Sequence, residues 1–179
     1  MIGIIIITII LISVAVLLTV NFFYIIFQGY APFIITRDKI LNIILNHISF
    51  KDSNIIYELG SGKAGFLRAI EKKYPQIKKL IGIEYFFLPY FLSRIQLSLI
   101  KSNIKILNKN IFNTNFAEAD VIYCYLNNGM MGKLKEKFRK ECKRGAQIIS
   151  YQFPLPNLTP VKVVDIEDEG KDKVYFYKM

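Results

Sequence analysis

Residues 55–65, Ile-Ile-Tyr-Glu-Leu-Gly-Ser-Gly-Lys-Ala-Gly, put an apolar run directly ahead of a turn with glycines at Gly60, Gly62 and Gly65. A second apolar run, Leu80-Ile81-Gly82-Ile83, ends in an acid, Glu84. Strand, glycine turn, helix, strand, acid is the pattern of a β-α-β unit with a nucleotide-cofactor crevice at its strand ends. The glycines let the backbone turn tightly and approach a ligand where a Cβ would clash. An acid at the tip of the second strand can accept hydrogen bonds from both hydroxyls of a ribose.

The rest of the chain extends this unit. Thr36 is placed to cap a helix over about 37–48, with Ile40, Leu41, Ile44, Leu45 and Ile48 on one face. Strands are expected at 54–59, 80–84, 104–107, 120–126 and 146–153. Helices are expected at 65–74, from Pro89 to about 101, and at 133–142. A Pro-rich connector, 154–160, leads to a closing hairpin, 161–166 and 174–177, around Asp168-Glu169-Gly170-Lys171. Five strand–helix alternations predict a mostly parallel α/β sheet with helices on both faces, closed by an antiparallel element.

The N-terminus obeys a different rule. From Ile2 to Phe27 no side chain is charged. At ~1.5 Å per residue such a helix is long enough to cross a ~30 Å hydrocarbon core. A signal peptide has a shorter apolar region, a basic start and a cleavage site, and a buried core helix would show a polar face. The segmentation expected is therefore an anchor at 1–28, a connector at 29–36 and a catalytic domain at 37–179. All 24 Lys and Arg lie beyond the anchor, so the positive-inside rule predicts a single-pass membrane protein with its domain in the cytoplasm.

The net charge of +10 then has a use, since a basic surface is attracted to anionic lipid. No aromatic–basic stripe of the kind that stacks bases is seen, so no nucleic-acid partner is expected. Cys124 and Cys142 read as reduced structural thiols, and the sole histidine, His47, as partly buried and structural. No His, Cys or acid cluster has metal-ligand spacing.

Two cofactors compete for the turn. Gly60-x-Gly62-x-x-Gly65 with Glu84 is the dinucleotide fingerprint, which would make an NAD-binding enzyme. The alternative is the S-adenosylmethionine motif, acid-x-Gly-x-Gly-x-Gly. Glu58, Gly60 and Gly62 fit it, with Ala64 at the last position. Glu58 favours the second reading: its carboxylate would repel a pyrophosphate, whereas S-adenosylmethionine presents an ammonium and a sulfonium.

From about Ala31 onward the sequence resembles the small membrane-anchored seven-β-strand protein-lysine methyltransferases, the family of the mitochondrial enzymes for the ATP-synthase c subunit and the adenine nucleotide translocase. The resemblance rests on Ala31-Pro-Phe-Ile-Ile-Thr36, Tyr57-Glu-Leu-Gly-Ser-Gly62, Ile83-Glu84, Asp120-Val-Ile-Tyr-Cys-Tyr-Leu126, Arg144-Gly-Ala-Gln-Ile-Ile-Ser150 and Phe153-Pro-Leu-Pro156 with Pro160 and the hairpin ending Val174-Tyr-Phe-Tyr177. It implies a Rossmann-like class I S-adenosylmethionine-dependent methyltransferase sheet with a C-terminal antiparallel hairpin, preceded by one transmembrane helix.

It further implies that Glu58, Gly60, Ser61 and Gly62 hold the methionine end of S-adenosyl-L-methionine, Glu84 its ribose, and Asn110 with Ile111 its adenine. Asn110 stands where an Asp is usual, and Lys63 and Ala64 also depart from the commoner pattern. The implied substrate is a lysine of a membrane protein. Tyr125, at the end of the fourth strand, is the candidate wall of the substrate channel, with Phe112, Tyr151 and Phe153 as weaker ones. Asn127 and Asn128 are candidates for binding the substrate backbone. A lipid or quinone methyltransferase, and a binding module that has lost its chemistry, stay open as alternatives.

Overall fold

The computed structural model describes residues 1–27, 36–51, 54–77, 79–166 and 172–179. The connector at 29–35 and the hairpin turn at 168–171 lie outside them. The chain forms two compact units, Met1–Pro32 and Phe33–Met179.

The first unit contains helix α1 (Ile2–Phe27), uncharged and apolar on all sides. It is long and apolar enough to cross a membrane by length and composition. The hydroxyls of Thr8 and Thr19 donate back to the carbonyls of Ile4 and Ala15, so neither needs water.

The second unit is built on a seven-stranded sheet in the order β3-β2-β1-β4-β5-β7-β6. β1 (Ile55–Leu59), β2 (Lys79–Glu84), β3 (Lys105–Asn108), β4 (Val121–Cys124) and β5 (Gln147–Tyr151) run parallel. β7 (Lys173–Lys178) lies antiparallel between β5 and β6 (Lys162–Asp165), the closing hairpin expected from the sequence. β1 pairs with β2 on one side and β4 on the other. The strand order reverses there, which opens a crevice at the carboxyl ends of these strands.

Helices α2 (Asp38–Asn46), α3 (Gly65–Lys73) and α4 (Phe87–Leu99) contribute Ile40, Leu41, Ile44, Phe66, Leu67 and Leu97 to one core against Val121, Tyr123 and Ile149 of the sheet. Phe66 stacks on Tyr123 with ring centroids 4.3 Å apart. The alternate strand residues Tyr57, Ile122 and Ile148 are buried on the other face, where Tyr57, Phe116 and Phe138 form a chain of ring contacts. This in–out alternation is the period-2 geometry of a strand covered on both sides.

Four expectations are corrected. Thr36 does not cap α2. Arg37 holds the N-cap position, and its carbonyl accepts from the amides of Ile40 and Leu41. The Thr36 hydroxyl instead lies 2.7 Å from the buried phenol of Tyr123, which would otherwise lose its partner.

The strand–helix alternation is not fivefold: between β3 and β4, where no helix was expected, there is a 3-10 turn, Ile111–Asn113. Asparagine side chains take the backbone donors that a helix would use: Asn110 Oδ1 accepts from the amide of Phe112, and Asn115 Oδ1 from that of Ala117. Helix α5 (Asn128–Glu141) starts five residues before the expected 133, because the Asn127 side chain caps it by accepting from the amide of Met130. His47 is exposed rather than partly buried, its Nδ1 2.8 Å from the Ile43 carbonyl.

The glycines are not equivalent. A Cβ on Gly82 would meet Ile106 Cδ1 at 2.5 Å and Ser61 Oγ at 2.7 Å, whereas one on Gly65 would meet only Leu41 Cδ1 at 3.9 Å. Gly82→Ala should therefore push the 60–62 turn off β2 and cost about 1–3 kcal/mol. Gly65→Ala should be neutral or stabilising by up to about 1 kcal/mol. Thermal unfolding distinguishes them at about 2–4 °C per kcal/mol; equal midpoints would refute this account of the turn.

Candidate active site

The crevice is lined by Thr36, Glu58, Gly60, Gly62, Tyr123 and Tyr125, with Leu59, Ser61, Lys63 and Gly65 completing it. Its floor is the turn after β1. Gly60, Gly62 and Ala64 all have left-handed backbone, with φ of +66°, +48° and +54°. These are the three positions after the acid in acid-x-Gly-x-Gly-x-Gly. Gly65, required by the dinucleotide fingerprint, has no such conformation. Ala64 pays about 1–2 kcal/mol for its Cβ in this region. That methyl is fully buried in the core with Phe66 and Leu67 and does not crowd the crevice.

The turn is laced to β2. The amides of Gly60 and Ser61 both donate to the carbonyl of Ile83, at 2.9 and 3.0 Å. The amide of Gly62 donates to Glu84 Oε2 at 2.9 Å, and that of Phe86 to Glu84 Oε1 at 2.9 Å. Burial pushes the Glu84 carboxyl above its ordinary range.

Glu58 holds the other end of the turn. Its Oε1 and Oε2 accept from the amides of Phe66 and Leu67, at 3.3 and 3.2 Å, in the first turn of α3. The anion-binding end of that helix is thus filled by the protein's own carboxylate. Both amides are taken, and a pyrophosphate would meet Glu58 there instead of free donors. Burial, reinforced by the nearby charge of Glu84, raises the Glu58 carboxyl to about 8 despite these two amides. A site with two buried acids favours a cationic guest over an anionic one.

A second constellation borders the crevice at the ends of β4 and β5. The Tyr125 and Tyr151 rings lie 4.6 Å apart. The Tyr125 hydroxyl donates to Gln152 Oε1, Gln152 Nε2 donates to Asp172 Oδ1 at 2.9 Å, and the Tyr151 hydroxyl donates to Asp172 Oδ2. Burial and the Asp172 charge raise the Tyr125 phenol above its ordinary range. It therefore stays protonated near neutral pH, an apolar ring with a polar tip rather than a base.

The remaining predicted positions are distributed as follows. Asn110 and Ile111 follow β3, with Ile111 buried and the Asn110 oxygen engaged by the Phe112 amide. Ser61 Oγ is buried without a hydrogen-bond partner among the described residues. Phe112 and Phe153 do not line the crevice. Asn127 is occupied as a helix cap, and Asn128 is exposed.

Cys124 is buried, burial raising its thiol well above the ordinary range, and Cys142 is raised to about 11, first by burial and then by Glu141. Both are free thiols. No group of three or more His, Cys, Asp or Glu among the described residues can hold a metal ion.

Three residues of this region were not singled out from the sequence for the site: Thr36 and Tyr123, which line the crevice, and Asp172 behind the tyrosine pair. Tyr123 alternates inward like any core strand residue, and Asp172 lies near in space only because β7 inserts beside β5.

Residues 58–162 match the family model described as the ANTKMT methyltransferase domain. A protein-lysine N-methyltransferase of Saccharolobus islandicus is 26% identical over 151 residues, covering 83% of this chain and 93% of that protein. Among solved structures, an RNA methyltransferase from Salinibacter ruber in complex with S-adenosyl-L-homocysteine superposes with a TM-score of 0.72 at 21% identity, over 81% of this chain and 93% of that one. A methyltransferase from Pyrococcus furiosus gives 0.61 at 15% identity, over 83% and 86%. At these identities the two structures speak for the fold alone. The left-handed turn, the acid that fills the α3 terminus and the match over more than half the sequence agree: the chain belongs to the ANTKMT methyltransferase domain family.

Proposed function

We propose that the chain is an S-adenosylmethionine-dependent protein-lysine methyltransferase, tethered by α1 in a membrane with its domain on the cytoplasmic side and acting on lysines of membrane proteins. The observation that carries the cofactor assignment is Glu58 on the amides of Phe66 and Leu67, which closes the anion site a dinucleotide needs. The name of the Saccharolobus islandicus relative supports lysine as the acceptor. The uncharged α1 and the net charge of +10 support the tether and its sidedness. An anchored enzyme searches a surface rather than a volume, which raises the effective concentration of membrane-protein substrates.

The residues present fit the cofactor. Glu84 would accept the ribose hydroxyls with the lone pairs that the Gly62 and Phe86 amides leave free, and the glycine backbone of residues 60 and 62 would leave room for the methionine end. Lys63 at the rim offers a counter-charge to an α-carboxylate. Asn110 Oδ1 keeps a second lone pair with which to accept from an adenine amino group, and Ile111 an apolar flank.

Bound there, S-adenosylmethionine supplies a methyl group activated by its sulfonium, which a neutral amine can attack in line. The protein's task is to deliver that amine. Lysine in water has a pKa of ~10.4, and an apolar channel lowers it. Tyr125, backed by Tyr151 and held by Gln152 and Asp172, forms one wall of such a channel. Its face also accommodates methylated ammonium products by cation–π attraction.

Two outcomes are expected. With its carboxyl raised to about 8, Glu58 is protonated in the free protein at pH 6 and ionised above pH 8. A cationic ligand favours the ionised form, so binding releases a proton and affinity rises with pH through this window, by up to about tenfold per unit. Isothermal titration at pH 6, 7 and 8 measures this. Glu58→Gln should flatten the profile, and a flat profile in the native chain would refute the electrostatic role.

In a tritiated-methyl assay on membranes, label should enter the protein fraction. Tyr125→Ala should lower kcat/KM by about 2- to 30-fold, and Tyr125→Phe much less, since the ring is kept. Label confined to lipid would overturn the acceptor assignment.

A further inference from the structure

Helix α4 has an apolar face directly opposite its core face. Only Ser93 and Leu97 of this helix are buried. Phe87, Leu88, Phe91, Leu92, Ile95 and Leu99 are all exposed, from 44% for Ile95 to 79% for Leu99. At 100° per residue these six fall within an arc of roughly 140° turned away from Leu97. A surface helix normally presents polar side chains there, and a contiguous apolar face of this size marks a binding surface. Tyr85, just ahead of the helix, is also exposed, at 47%.

The charge carried by the segment that bears this face is all basic, the acid at its C-terminal end being Glu71 of α3, which is engaged by Ser102 and Asn103. From Tyr85 to Ala117 the chain has Arg94, Lys101, Lys105 and Lys109 and no acid. All four are exposed. A second copy docking by the same face would bring like charges together, because a two-fold interface pairs a patch with itself. An anionic lipid surface is complementary to both parts, taking the aromatic and aliphatic side chains among its acyl chains and the basic ones at its phosphates.

We propose that α4 lies in the membrane interface with Phe87, Leu88, Phe91, Leu92, Ile95 and Leu99 in the lipid, as a second attachment besides α1. This rests on the tethered reading above only in that α1 brings the domain to the bilayer. The consequence for the reaction is positional. α4 begins three residues after Glu84, and the Phe86 amide is bonded to the Glu84 carboxylate. Seating α4 in the interface therefore holds the Glu84 end of β2 near the membrane surface, where lysines flanking membrane helices lie.

The chain has no tryptophan, so a single one reports its own surroundings. Leu92→Trp, and independently Leu88→Trp, are placed in the full chain, with Lys140→Trp on exposed α5 as the control. Each is bound at neutral pH to phosphatidylcholine vesicles containing phosphatidylglycerol, with and without brominated acyl chains. The α4 tryptophans should be blue-shifted and quenched at least about twofold more than the control. Equal quenching at all three sites, or failure to bind vesicles, overturns the proposal. A blue shift without bromine quenching means that protein covers the face, and overturns it too. Alkaline carbonate extraction of the same vesicles reads α1 separately: a chain that resists extraction but shows unquenched α4 tryptophans keeps its tether and loses only this inference.

Discussion

The contact on which the site depends is that between the Glu58 carboxylate and the amides of Phe66 and Leu67 in the first turn of α3. A helix N-terminus carries unsatisfied donors and about half a positive charge, and in many nucleotide-binding folds a phosphate fills it. Here the fold fills it from within, from the strand that leads into the turn. This fixes the angle between β1 and α3 and holds the left-handed backbone of Gly60, Gly62 and Ala64 against strain. It also removes the positive end that a pyrophosphate would seek.

The same contact sets the polarity of the crevice. Glu58 and Glu84 lie at or next to the ends of adjacent strands, and both are buried within a few per cent of complete exclusion. Each is tied to backbone amides, Glu84 through Gly62 and Phe86. The turn is thus clamped between two carboxylates whose burial disfavours their own charge. A ligand that brings positive charge relieves that cost, and one that brings negative charge adds to it. Gly82 makes the clamp possible, since any side chain there would occupy the space of Ser61.

Across the crevice the tyrosine pair is positioned by an element far away in sequence. Asp172 precedes β7, and β7 reaches Tyr125 and Tyr151 only by inserting between β5 and β6. The closing hairpin therefore supports the tyrosine side of the crevice as well as the sheet edge. On the opposite flank, α4 gives the core only two buried side chains and leaves a broad apolar face outward. Core packing alone does not account for such a sequence.

The strands and the order of elements were readable in the sequence because their signal is local: apolar runs, glycine turns and a Pro-rich connector each act over a few residues. The uncharged N-terminal helix was readable for the same reason. Glu58, Gly60, Gly62 and Glu84 could be singled out because an acid and a glycine at a strand end have few other uses. Tertiary structure decided what depends on partners distant in the chain: that Thr36 bonds Tyr123 instead of capping α2, that Ala64 turns its methyl into the core, and that Asp172 stands behind the tyrosines. The choice between two glycine motifs sharing the same letters was of this second kind. Letters specify which residues can adopt φ > 0, but only the folded backbone shows that positions 60, 62 and 64 do so while Gly65 does not.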